Sequence, residues 1–130
     1  MISQDDRKKK ETGKAGEDAA VDFISRNGYS ILARNYRRKS GEIDIVAQEG
    51  NTVCFLEVKT RHSRVFGEPE EAVSRVKQKQ ISRTALYFLK EHNLIDTNAR
   101  FDVVSILLEN QSPHVTLIKN AFDIAGEYVY

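Results

Sequence analysis

The feature that most constrains this chain is a pair of short apolar runs, "GEIDIVAQ" (Gly41–Gln48) and "TVCFLEVK" (Thr52–Lys59), separated only by "EGN". Both are rich in the β-branched and aromatic residues that suit strands, and a glycine-containing turn of this length between them signals a hairpin. Yet the runs also hold Glu42, Asp44, Glu57 and Lys59 among Ile, Val and Phe. Burying an unpaired charge is costly unless a partner, a proton or a metal compensates it. The chain must therefore fold so that a sheet carries a charged cluster.

Side chains alternate along a strand, so Glu42, Asp44 and Val46 share one face of the first run and Ile43, Ile45 and Ala47 the other. In the second run Val53, Phe55, Glu57 and Lys59 share a face. A Gly50-Asn51 loop pairs Glu49 with Thr52 and sets Asp44 opposite Glu57; a Glu49-Gly50 loop sets them diagonally. Either register predicts Cβ atoms about 5–8 Å apart, near enough for both carboxylates to ligate one cation. Like charges so placed repel, and two arrangements relieve them: a hard divalent ion, or a salt-bridge cluster in which Lys59 and nearby arginines neutralise the acids.

The remaining elements follow from periodicity. From about Thr12 to Asn27, Ala15, Ala19, Ala20, Phe23 and Ile24 recur at helical spacing, with Asn27-Gly28 as the stop. "YSILARNYR" reads as a strand. Pro69 marks the start of a second helix reaching about His92, with Val73, Val76, Ile81, Ala85, Phe88 and Leu89 on one face. "ARFDVVSILLE" and "HVTLIKNAF" read as strands around the turn "NQSP". The order α-β-β-β-α-β-β predicts an α/β fold, a central mixed β-sheet flanked by helices, because a strand–helix–strand unit makes a parallel crossover. Residues 1–12 read as a flexible polar tail and 13–130 as a single domain. With 130 residues the chain can bury roughly two-thirds of its unfolded surface and needs no staples.

Several classes are set aside by composition. No apolar run approaches the roughly 18 residues of a membrane span, and "MISQDDRKKKETGK" lacks the apolar centre of a signal peptide, so a cytoplasmic protein is expected. Cys54 is the single cysteine and reads as a small buried hydrophobe. His62, His92 and His114 are scattered, leaving no zinc-type spacing. Any metal would be held by oxygen.

Net charge is only +1, but the basic residues cluster in "RKKK", "RNYRRK", "KTRHSR" and "RVKQKQISR". Two clusters flank the acidic stretch, which makes Arg37, Arg38, Arg61 and Arg64 candidate phosphate contacts, with Tyr36 able to stack on a base. Lys77 and Gln80 lie on the less apolar side of the second helix and are further candidates. Glu17 stands three and seven residues before Ala20 and Ile24, at the edge of the packed face of the first helix, where it can lean toward the sheet. Asp102 reads as a structural acid. Two or three carboxylates with a lysine fit metal-assisted phosphodiester hydrolysis, in which a divalent ion acidifies water and the lysine holds it or offsets developing charge.

Asp44, twelve residues, then Glu57-Val58-Lys59 resembles the PD-(D/E)XK signature of the restriction-endonuclease-like nucleases. The preceding helix with its glutamate is similar to that of archaeal Holliday-junction resolvases. "GKAGEDAA", "NGYSILARNYR", "GEIDIVA", "FLEVKTR" and "FGEPEEAV" together resemble the YraN family of bacterial proteins, from about Gly13 to the last strands. Gly41-Glu42-Ile43 precedes Asp44, so the nominal proline is absent, and Glu42 is left between a supporting role and pairing with an arginine. The resemblance implies a restriction-endonuclease-like core, with Glu17, Asp44, Glu57 and Lys59 catalytic and Glu17, Asp44 and Glu57 holding Mg²⁺ or Mn²⁺. It implies an endonuclease acting on DNA, branched or structured DNA included, or else a nucleic-acid-binding module of repair or recombination. Junction-cutting relatives add a homodimer as an expectation.

Overall fold

The computed structural model describes residues 4–61, 73–109 and 112–123. Its elements are α1 (Gln4–Arg26), β1 (Ser30–Arg38), β2 (Gly41–Glu49), β3 (Thr52–Arg61), α2 (Arg75–Glu91), β4 (Asn98–Glu109) and β5 (Ser112–Phe122). The five strands form one sheet in the order β1-β2-β3-β4-β5. All neighbours are antiparallel except β3 and β4, which run parallel with α2 between them in sequence. This is the mixed α/β sheet and element order that the sequence predicts. No helix among the described residues is long and apolar enough to cross a membrane.

Each helix covers one side of the sheet. Under α2, Ile81, Ala85, Phe88 and Leu89 pack on Tyr36, Val46, Val53, Phe55 and Phe101. Phe88 meets Tyr36 and Phe55 edge-on, with ring centroids 5.1 and 5.9 Å apart, the geometry aromatic quadrupoles prefer. Under α1, Ala20 and Ile24 pack on Ile45, Ala47, Cys54, Leu56, Val104 and Ile106. Cys54 is buried there, and burial pushes its thiol up to about 11, as suits an inert packing residue.

Three local expectations shift. α1 begins at Gln4 rather than near Thr12; "QDDRKKKE" is built mostly of straight-chain helix formers, with acids where the helix dipole favours them. Its buried line is Gly16, Ala20 and Ile24, while Ala15 is exposed. Gly16 is required by contact, because a Cβ there would overlap Thr60 Oγ1 on β3. α2 begins at Arg75, where Ser74 caps it by accepting the Lys77 N–H at 3.1 Å. Val76 is therefore in the first turn and 68% exposed, not on the apolar face. The expected start at Pro69, with Phe66 and Gly67, lies outside the described residues.

The hairpin uses the Gly50-Asn51 loop, with Glu49 paired to Thr52 and Gly50 at φ +58°. Alternation along β2, however, slips at Asp44. Ile43 packs on the α2 side with Val46, whereas Ile45 packs on the α1 side. The cause lies across the ladder. Between the pairs Arg34↔Ile45 and Tyr36↔Ile43, Asn35 takes a left-handed φ of +53°, and the residue facing it is Asp44. On the other side, the β2–β3 ladder ends at Ile45↔Leu56. Asp44 and Glu57 are the next residue on each strand, standing where the two strands part.

Candidate metal-binding and catalytic site

The strand separation leaves a backbone donor to satisfy, and Asp44 satisfies it: the Val58 N–H donates to Asp44 Oδ2 at 2.8 Å. This bond fixes the carboxylate beside Glu57. Burial, then the neighbouring Glu57 charge, push the Asp44 carboxyl up to about 7, against which the Val58 bond acts only partly. Two acids in a sheet thus stand against each other, with one of them holding its proton near neutrality.

Glu57 is almost fully buried on β3. Its Oε1 receives two ammonium groups: Lys59 at 3.4 Å, from two residues along the same strand, and Lys77, from the first turn of α2. Burial holds the Lys59 amine below its ordinary value, and the neighbouring Lys77 adds to this. Burial pulls Lys77 down most strongly of any single cause, but its bond to Glu57, the Glu57 charge and the smaller effects of Lys59 and Asp44 together outweigh it, and the net displacement is upward. The first turn of α2 contains no acid. Cations at that positive end of a helix are unfavourable by about 0.3–1 kcal/mol each, so Lys77 is placed against the local preference of its helix.

Glu17 comes from α1, which the Gly16–Thr60 contact presses onto β3. Burial raises its carboxyl, Arg34 lowers it, and Glu42, Asp18 and Glu57 raise it further. Glu17 Oε1 is buried and finds no hydrogen-bond partner among the described residues. Such an atom ordinarily has one. Among the described residues no group of three or more His, Cys, Asp or Glu side chains is placed to hold a metal ion together. Mg²⁺ does not need one, because one or two carboxylates suffice when water and phosphate complete its octahedron. The Asp44 and Glu57 donors are oxygens, as a hard divalent ion requires, and the unpartnered Glu17 oxygen is a further carboxylate oxygen nearby. The residues fit such an ion.

Residues 16–106 match the family described as "Uncharacterised protein family UPF0102". The chain belongs to this family. It is the YraN family of the sequence resemblance. A UPF0102 protein of Caldicellulosiruptor saccharolyticus is 47% identical over 116 residues, covering 88% of this chain and 98% of its own length. One from Geobacter metallireducens is 48% identical over 116 residues, covering 89% and 95%.

The UPF0102 segment runs from α1 into β4 and contains every carboxylate and lysine of the cluster. Of the residues singled out by sequence, Asp44, Glu57, Lys59 and Lys77 are brought together, with Glu17 beside them. Lys77 was expected as a nucleic-acid contact on a helix whose polar residues approach the site; its bond to Glu57 is the element that sequence reasoning missed, and the basic first turn of α2 was the available signal. Gln80 is exposed and lies against Gly41, near the α2 residue Thr84. Arg37 pairs with Glu42 at 3.2 Å, both well exposed, which resolves Glu42 as an arginine partner. Arg38 is held by Glu91 through Nε and Nη2 at 2.9 and 2.6 Å and lies 4.4 Å from the Tyr36 ring centroid. That fork clamps β1 to α2. Tyr36 is itself buried and hydrogen-bonded to Glu91, so its ring is committed to the core. Arg61 ends β3, two residues beyond Lys59, and Arg64 lies outside the described residues. Asp102 is fully buried beside Arg100, Tyr29 and the Asn120 N–H, in keeping with a structural acid.

Proposed function

We propose that this protein is a divalent-metal-dependent endonuclease that hydrolyses phosphodiester bonds in DNA, branched or otherwise structured DNA included. The observation that carries the reading is the meeting of Asp44, Glu57 and Lys59 where β2 and β3 part, beside an unpaired buried oxygen of Glu17. Asp44 and Glu57 would hold Mg²⁺ or Mn²⁺, with Glu17 as a further donor. Such an ion supplies acidified water and compensation for charge on the phosphate. Lys59 Nζ, half-buried and lowered by that burial, would hold the attacking water or offset charge gathering on the phosphate oxygens. Arg61, at the end of the same strand, would fix the backbone of the nucleic acid without reading its sequence.

A second reading has one observation in its favour. Lys77 and Lys59 already neutralise Glu57, an arrangement that also suits a nucleic-acid-binding module without cleavage. The deciding experiment is cleavage of labelled four-way junction, flap, single-stranded and duplex DNA with Mg²⁺ or Mn²⁺, comparing the unsubstituted protein with Asp44→Asn and Lys59→Ala. Cutting that both substitutions abolish is the expected result. Salt-sensitive binding without cutting, unchanged by either substitution, would establish the binding module instead.

A further inference from the structure

Lys77 sits on Glu57 where α2 packs on β3, but against the preference of its own helix end. It lies in the acid-free first turn of α2, where the helix dipole disfavours a cation. Its ammonium shares Oε1 of Glu57 with that of Lys59, so two like charges crowd one oxygen. The two lysines are differently held. Lys59 is two residues from Glu57 on a central strand and its side chain is 23% exposed. Lys77 reaches in from another element on a long side chain that is 37% exposed, and it can swing outward without disturbing the sheet.

We propose that Lys77 is an exchangeable counter-ion: it occupies Glu57 while no divalent cation is present, leaves when one is bound by Asp44 and Glu57, and then serves a backbone phosphate of the incoming nucleic acid. This rests on the reading of the Asp44–Glu57 pair as a divalent-cation site. An ammonium and a divalent ion cannot both stand against one carboxylate oxygen without strong repulsion, and Lys77 is the group free to move. The exchange keeps Glu57 compensated in both states and releases a positive charge beside the phosphate only once the site is loaded.

The test is Mn²⁺ binding by calorimetry at fixed ionic strength, on the unsubstituted protein, Lys77→Met and Lys90→Met. The last carries the same charge change at the far end of α2. If Lys77 holds Glu57 about nine-tenths of the time, removing it should tighten Mn²⁺ binding about tenfold, while Lys90→Met stays near the unsubstituted protein. Equal or weaker binding by Lys77→Met overturns the exchange and leaves the cation site standing. No saturable Mn²⁺ binding by any of the three overturns both. A second measurement needs no variant: the ¹⁵N signal of the Lys77 ammonium should lose its Glu57 coupling as Mg²⁺ is added, and persistence of that coupling at saturating Mg²⁺ would also refute the exchange.

Discussion

Asp44→Asn should stabilise the metal-free protein, and the gain should depend on pH. The folded Asp44 carboxyl is raised from its ordinary 3.8 to about 7, first by burial and then by Glu57. Between those values the folded state keeps a proton that the unfolded state has lost. Stability therefore falls as pH rises through that window and is flat above it. At about 1.4 kcal/mol per factor of ten, the ceiling is roughly 4 kcal/mol; adjustment of the nearby lysines and solvent reduces the expected figure to roughly 2 kcal/mol. Asparagine keeps an oxygen for the Val58 N–H and removes the charge. In chelator, the melting temperatures of variant and parent should lie close at pH 4 and diverge to about 5–10 °C by pH 8, the variant higher. Adding Mg²⁺ at ten times its Kd should then raise only the parent, by about 1.4 kcal/mol. A variant less stable than the parent at pH 8 in chelator, or a gap that does not change with pH, would refute the account of Asp44 as a strained acid.

Gly16→Ala should cost about 1–3 kcal/mol through overpacking against Thr60, and Thr60→Ala in the same chain should recover part of it, both read by urea unfolding. Arg100→Ala should cost about 3–5 kcal/mol, because it strips the ion pair from fully buried Asp102; a loss under 1 kcal/mol would show that Tyr29 and Asn120 suffice. Ser74→Ala removes the cap of α2 and should cost about 1 kcal/mol, with hydrogen exchange speeding in the first turn that carries Lys77 and not at Phe88.

Much of the architecture was legible because periodicity and turn chemistry agreed. That "EGN" makes a hairpin was legible, but it allowed both a Gly50-Asn51 and a Glu49-Gly50 loop, and only the structure selects the first, with Glu49 facing Thr52. The parallel β3–β4 pair followed from the helix between them. What strict alternation could not supply was the slip at Asp44. It assigned Ile43 and Ile45 to one face, whereas Asn35 on the neighbouring strand turns Ile43 to the other; an asparagine in a strand is a weak signal, because it also fits an exposed edge. The start of α2 was missed for a related reason. Proline is the stronger sequence signal of a helix start, whereas the cap of α2 is Ser74, whose hydroxyl meets the Lys77 N–H. Lys77's own partner was invisible, since nothing in local spacing reports which acid a helix will lay a lysine against.

Two aspartates of the sheet, Asp102 fully buried and Asp44 partly so, contrast within one molecule. Each stands where a ladder is interrupted and accepts a backbone N–H: Asp102 from Asn120 at 2.9 Å, where the β4–β5 register shifts, and Asp44 from Val58 at 2.8 Å, where β2 and β3 part. Asp102 is completed as a structural acid should be, with the Arg100 guanidinium 2.9 Å away and the Tyr29 hydroxyl on its other oxygen. Among the described residues no cation is paired with Asp44 in this way. It faces a second carboxylate, and the lysines of the site go to Glu57 instead. If closing the ladder were the only demand at position 44, an arginine beside the carboxylate, as Arg100 stands beside Asp102, or a neutral asparagine in its place would meet it at lower cost. The same sheet therefore contains its own control, and measured against Asp102 the cost left standing at Asp44 is what the proposed cation-binding role would account for.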